Sequence, residues 1–200
     1  MADSSRKRRL AILLSGRGSN FEAIADAVGS GEIPDARIVA VISDVAQARG
    51  LSRARERGLP AHAVERKSGE SRREHEAKIL RILEEAGPDL VCLAGYMRIL
   101  SPGFVARYRG RILNIHPALL PKFAGLHAQR RALEAGERES GCTVHIVDEG
   151  TDTGPIVLQE RVPIAPDDTE ETLTARILEK EHRAYPEAIA RALAELPPQL

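Results

Sequence analysis

The sequence predicts an α/β domain: a mainly parallel sheet, helices on both faces, and an antiparallel addition towards the C-terminus. Three observations carry that expectation. Apolar strand-like runs alternate with helical segments through residues 10–116, the order that builds strand–helix–strand units. One run, LVCLA at 90–94, is apolar throughout, as in a strand buried on both faces. The last two runs, 141–147 and 156–164, have no helix between them, which joins them antiparallel.

Residues 10–14 read as the first buried strand. Ser15-Gly16-Arg17-Gly18-Ser19-Asn20 is a turn, and 21–28 has helical periodicity. Strand, Gly-rich turn and helix make an anion site, because a helix start offers free N–H groups and the positive end of the dipole. Gly16 and Gly18 permit close backbone approach, and Ser19 and Asn20 can cap or donate. A dinucleotide fingerprint is the competing pattern, with Asp44 as its ribose acid. It fails at the third glycine, where Phe21 stands. A single phosphate suits the shorter loop better.

A second strand is expected at 37–42, a helix at 46–57 closed by Gly58 and Pro60, and a short strand at 61–64. Ser71-Arg72-Arg73-Glu74 is a capping box for a helix that runs to Glu85 and stops at Gly87-Pro88. The dipole disfavours a cation at Arg72, so Arg72 is either solvated or serves a ligand. The strand at 89–94 leads into Gly95-Tyr96-Met97-Arg98-Ile99-Leu100. As a second strand-end loop, this should lie near the first. A short helix from Ser101-Pro102 to about 109 precedes a strand at 111–116. Then come a helix at 128–135, a polar Gly-rich loop at 148–155, and a long helix capped by Asp168 and Glu171. Pro186 should interrupt that helix.

Composition narrows the function. Formal net charge is zero, with 42% hydrophobic and 29% charged residues, which suggests neither nucleic acid nor an anionic membrane as a partner. Trp is absent and aromatic residues are few, so base-stacking platforms are not expected. Cys92 and Cys142 sit in apolar runs and read as buried thiols. The histidines (62, 75, 116, 127, 145 and 182) are scattered, and no zinc spacing occurs, so no metal is expected. The apolar run after Arg6–Arg9 is too short for a signal core, and no run is long enough to span a membrane. The expected compartment is the cytoplasm. Residues 1–8 form a basic, solvated tail and 9–196 one domain.

The chemistry gathers in NIHPALLPKFAGLH, 114–127. Asn114 and His116 are two apart at the end of a strand and share a face. Pro117 keeps His116 extended. An amide donor beside a group that titrates near pH 7 suits a reaction in which an oxygen gains negative charge and a proton moves. Asp152 supplies a second site, and no nucleophile elbow is present.

SGRGSN, LAGYMRIL, NIHPALLPKFAGLH, DTGPIVLQ and EKEH follow one another in this chain. With them, residues of about 9–190 resemble the phosphoribosylglycinamide formyltransferases, folate-dependent enzymes of purine synthesis. The resemblance implies a single Rossmann-like formyltransferase domain. It implies direct formyl transfer from 10-formyltetrahydrofolate, as co-substrate, to the amine of glycinamide ribonucleotide. His116 would be the acid–base residue, and Asn114 would donate to the oxyanion and touch the folate. Asp152 would orient His116 and raise its pKa. Gly18, Ser19 and Asn20 would hold the ribonucleotide phosphate, with Glu181 on the ribose. Met97, Arg98, Ile99 and Leu100, with the loop through Asp152, would hold the pterin, and Arg72 would contact the folate donor. A monomer or homodimer is expected.

One departure is Leu178, where many relatives carry Lys or Gln; Lys180 could compensate. The rivals are methionyl-tRNA formyltransferase and formyltetrahydrofolate deformylase, whose usual extra domains have no room here. A non-catalytic nucleotide- or folate-binding module is the rival of another class.

Overall fold

The computed structural model describes residues 6–197. Residues 1–5 of the expected tail lie outside the described residues. The chain opens with β1 (Arg8–Leu14), α1 (Ser19–Ser30), β2 (Ala36–Ser43), α2 (Arg49–Glu56) and β3 (Ala61–Ala63). It continues with α3 (Arg72–Ala86), β4 (Leu90–Leu93), α4 (Pro102–Arg107) and β5 (Ile112–His116). It closes with α5 (Ala128–Glu134), β6 (Glu139–Ile146), β7 (Ile156–Pro163) and α6 (Glu170–Glu195). The strands form one sheet in the order β3-β2-β1-β4-β5-β6-β7. The first five are parallel, and β6 and β7 are antiparallel to their neighbours. The expected fold class holds.

The layers follow from the period of two along β1. Leu10, Ile12 and Leu14 pack with Phe21 and Ile24 of α1 and Tyr185 and Ile189 of α6. Ala11 and Leu13 join the opposite layer, with Ile79 and Leu83 of α3 and Phe104 of α4. The Tyr185 hydroxyl lies 2.9 Å from the Leu93 carbonyl and 3.0 Å from that of Leu113, so α6 is fastened to β4 and β5. Strand order reverses between β1 and β4, the switch point beside which ligands bind in such sheets.

Several boundaries differ from expectation for physical reasons. β1 begins at Arg8, whose guanidinium donates to the carbonyls of Leu196 (2.7 Å) and Pro197 (3.1 Å). The Arg9 amide donates to Asp89 at 2.7 Å. Arg8 and Arg9 are thus structural and not solvated. α2 starts at Arg49 because a turn, Ala48 N to Val45 O at 3.1 Å, precedes it. The α3 capping box forms as expected, with Gly87 left-handed at its end.

Thr169 and Thr172, and not Asp168 and Glu171, cap α6. Asp168 stands one residue before the cap and accepts from the Ala165 amide and from Thr172 Oγ1. Pro186 does not interrupt α6. A proline inside a helix costs about 3 kcal/mol. Tyr185, Ala188 and Ile189 are fully buried around it, and each large apolar group contributes about 2 kcal/mol. Packing therefore overrides the local preference. Among the described residues no helix is long and apolar enough to cross a membrane.

Candidate active site

β5, between β4 and β6, delivers Asn114 and His116 to one face of the sheet. β6 runs back antiparallel and sets His145 opposite Asn114. The polar loop after β6 then returns Asp152, left-handed at φ 55°, to the same place. Asp152 Oδ2 lies 3.3 Å from His116 Nδ1. Asp152 Oδ1 lies 3.5 Å from both Asn114 Nδ2 and His145 Nε2. His145 Nε2 also lies 3.1 Å from Asn114 Nδ2, so one ring atom faces both groups. An amide carries two N–H donors. With one turned to His145 and Asp152, the other is left for a ligand oxygen on half-buried Asn114.

The segment after β5 closes over these groups. Phe123, at φ 55°, sets its carbonyl 3.0 Å from His116 Nε2. The Gly125 amide donates to Asp152 Oδ2 at 2.8 Å. Fully buried Thr143 anchors the segment: it donates to the Ala118 carbonyl (2.6 Å) and accepts from the Leu120 amide (3.1 Å). Arg131 of α5 donates to the Ala124 carbonyl at 2.7 Å and covers the Phe123 ring.

The electrostatics of His116 combine two opposing effects. Burial pushes His116 below the ordinary histidine range, and Asp152 and the Phe123 carbonyl pull it back only in part. The carboxylate raises the ring's pKa, as expected, but desolvation is the larger effect. Asp152 itself is held down at about 2 by the His145 ring beside it, then by the Gly125 amide and by His116, against burial.

Gly18, left-handed at φ 80°, stands at the start of α1, and no side chain caps that helix. The first-turn N–H groups have no partner within the helix and are free for an anion. A Cβ on Gly18 would lie 2.5 Å from Gly50 Cα, whereas one on Gly16 would meet open space. Gly18 is therefore also required by the crossing of this loop over α2. Asn20 Nδ2 donates to Glu181 Oε2 at 2.7 Å, and both are buried. Burial pushes the Glu181 carboxyl up, and the Asn20 amide draws it back. The loop residues and Glu181 thus meet. Lys180 pairs with Glu160 at 3.3 Å, which leaves no observation for compensation of Leu178.

Of the four consecutive residues after β4, Met97 and Ile99 are 70% and 67% exposed, while Leu100 joins the core. Arg98 Nε donates to Asp44 at 2.6 Å, and Ser15 Oγ donates to the other Asp44 oxygen at 2.5 Å. Both oxygens of Asp44 are engaged, and the residue is 7% exposed. Arg72 Nε donates to the Ile99 carbonyl at 3.2 Å. Among the described residues no His, Cys, Asp and Glu group is arranged to hold a metal.

Residues 8–189 match the model of the family described as Formyl transferase. The chain belongs to the formyl transferase family. It is 45% identical over 181 residues to phosphoribosylglycinamide formyltransferase of Escherichia coli K12, covering 90% of this chain and 85% of that one. It is 52% identical over 188 residues to the trifunctional purine biosynthetic protein adenosine-3 of Drosophila melanogaster, covering 94% of this chain and 14% of that protein. The chain thus spans about a seventh of the length of that larger relative. It superimposes with a TM-score of 0.91 on glycinamide ribonucleotide transformylase 1 of Symbiobacterium toebii, at 48% identity over 97% of this chain and 92% of that one.

Within this candidate site, the sequence reading overlooked His145, Thr143 and Gly50. His145 and Thr143 lie in an alternating strand with no local signal of chemistry. Only the antiparallel pairing of β5 with β6 brings them to Asn114 and the segment after His116.

Proposed function

We propose that this chain transfers the formyl group of 10-formyltetrahydrofolate to the primary amine of glycinamide ribonucleotide, a step of purine synthesis. The products are the formylated ribonucleotide and tetrahydrofolate. The observation that supports this most is the convergence of Asn114, His116 and Asp152, with contacts of 3.3 to 3.5 Å through Asp152. Residues 8–196 act as one catalytic domain, in the cytoplasm, on small molecules and without nucleic acid, membrane or metal.

The amine lone pair attacks the formyl carbon, and the carbonyl pair moves onto oxygen. The free N–H of Asn114 donates to that oxyanion; one such donor is worth about 100- to 1,000-fold in rate. The attacking nitrogen loses its proton to neutral His116. Burial keeps the ring below its ordinary pKa, so it is unprotonated near neutral pH and able to accept. The ring proton stays on Nδ1, 3.3 Å from Asp152 Oδ2, so Nε2 is the nitrogen that accepts; once protonated, it faces the Phe123 carbonyl at 3.0 Å. Asp152, charged throughout, steadies the imidazolium. The proton then passes to the folate nitrogen as the old C–N bond breaks. The Gly18-Ser19-Asn20 turn holds the phosphate, Glu181 the ribose, and Arg72 with residues 97–100 the folate.

A folate absorbance assay with and without glycinamide ribonucleotide tests the reading. Tetrahydrofolate should form only when the ribonucleotide is present. Formate release without it would replace the reading with a deformylase. His116→Ala should lower kcat strongly, and wild-type turnover in that variant would refute the assignment.

A further inference from the structure

We infer that Asp44 is a positioning residue for the donor-binding segment: it fixes the shape of residues 97–100 and so governs affinity for the folate donor while sparing that for the ribonucleotide. The inference rests on the reading of that segment given above.

Residues 97–100 lie between β4 and α4 and belong to neither. Their backbone groups need partners outside the sheet ladder. Asp44, 7% exposed, sits just past the end of β2. One of its oxygens takes the proton of the Ser15 hydroxyl, and the other takes Arg98 Nε. A hydroxyl has a single proton. With it committed to Asp44, the Ser15 lone pairs are free to face the Met97 amide, which donates to Oγ at 2.9 Å. Asp44 therefore acts on Met97 through Ser15 and on Arg98 directly.

The far end of the segment is held separately. Buried Glu76 accepts from the Ser101 amide at 2.8 Å and from its hydroxyl, and Arg72 holds the Ile99 carbonyl. Arg98 is turned onto Asp44, while Met97 and Ile99 on either side of it are largely exposed. The ribonucleotide residues of the proposed function, Gly18 to Asn20 and Glu181, lie at the start of α1 and on α6, and the hydrogen bonds of Asp44 go to Ser15 and Arg98 instead.

The test is steady-state kinetics of Asp44→Ala, Asp44→Asn and Ser15→Ala, with both substrates varied and thermal midpoints recorded. Asp44→Ala should raise the donor KM about tenfold, with the ribonucleotide KM within about twofold of wild type. Asp44→Asn keeps an acceptor for Ser15 and should recover part of that loss. Ser15→Ala should raise the donor KM about threefold, and it decides the matter if Asp44→Ala does not fold. A folded Asp44→Ala with wild-type donor KM would overturn the inference, as would equal rises in both KM values. Ile99→Ala separates the two readings. If it leaves the donor KM unchanged, the donor assignment of the segment fails; if it raises that KM while Asp44→Ala does not, the role of Asp44 fails.

Discussion

Asn114 Nδ2 and His145 Nε2 stand 3.1 Å apart across the β5–β6 ladder. The contact joins two strands that run in opposite directions. It also fixes the Asn114 amide so that, in the proposed reaction, its second N–H would face the developing oxyanion. The same ring atom lies beside Asp152. His145 is thus placed to orient both the oxyanion donor and the carboxylate partner of His116.

His145→Ala should lower kcat roughly 10- to 100-fold, because a displacement of about 1 Å at a reacting centre has an effect of that order. The KM values should change little, since His145 is only 2% exposed. His145→Gln, which keeps a polar atom at similar reach, should recover part of the loss. Steady-state rates at saturating substrates are the measurement, and a wild-type kcat in His145→Ala would remove this role.

The acidic limb of kcat should follow His116. Burial lowers the ring's pKa below the ordinary 6.5, and the reaction needs the neutral form. Activity should therefore rise with pH through a midpoint below 6.5 and be level at neutral pH. Asp152 is what pulls that pKa upward. In Asp152→Asn the limb should move to more acidic pH, and the plateau should drop. Of the other groups facing the ring, His145 and Arg131 act in the opposite direction and remain in the variant. A limb that moves to higher pH in Asp152→Asn would contradict this account.

Gly18→Ala should destabilise the fold by about 2 kcal/mol or more. The residue is left-handed, and its Cβ would lie 2.5 Å from Gly50 Cα; strain of this kind falls among the large single-mutation effects. Gly16→Ala meets open space and should stay within about 0.5 kcal/mol of wild type. Urea unfolding of the two variants makes the comparison. Equal stability would mean that the loop does not press on α2.

The parallel core was legible because its signals are local. β1 and β4 are apolar at every core position, and the Ser71 capping box and Gly87 bound α3 with residues that only those positions demand. Pro186 misled for a complementary reason: its local preference was clear, but the burial of Tyr185 and Ile189 outweighed it. Thr169 displaced Asp168 as a cap because both residue types serve there, and the choice between adjacent candidates depends on how the preceding loop closes.

For the site itself, the chain announced which side chains have suitable chemistry: Asn114 and His116 on one strand face, an acid at Asp152, and a Gly-rich helix start around Gly18. Pattern and spacing reach that far because they act over a few residues. The tertiary structure alone decided that His145 supports Asn114, that Gly18 crosses Gly50, and that Asp44 is turned inward onto Arg98. It alone also decided the direction in which His116 titrates, since desolvation depends on everything packed around the ring and on no single neighbour in the chain.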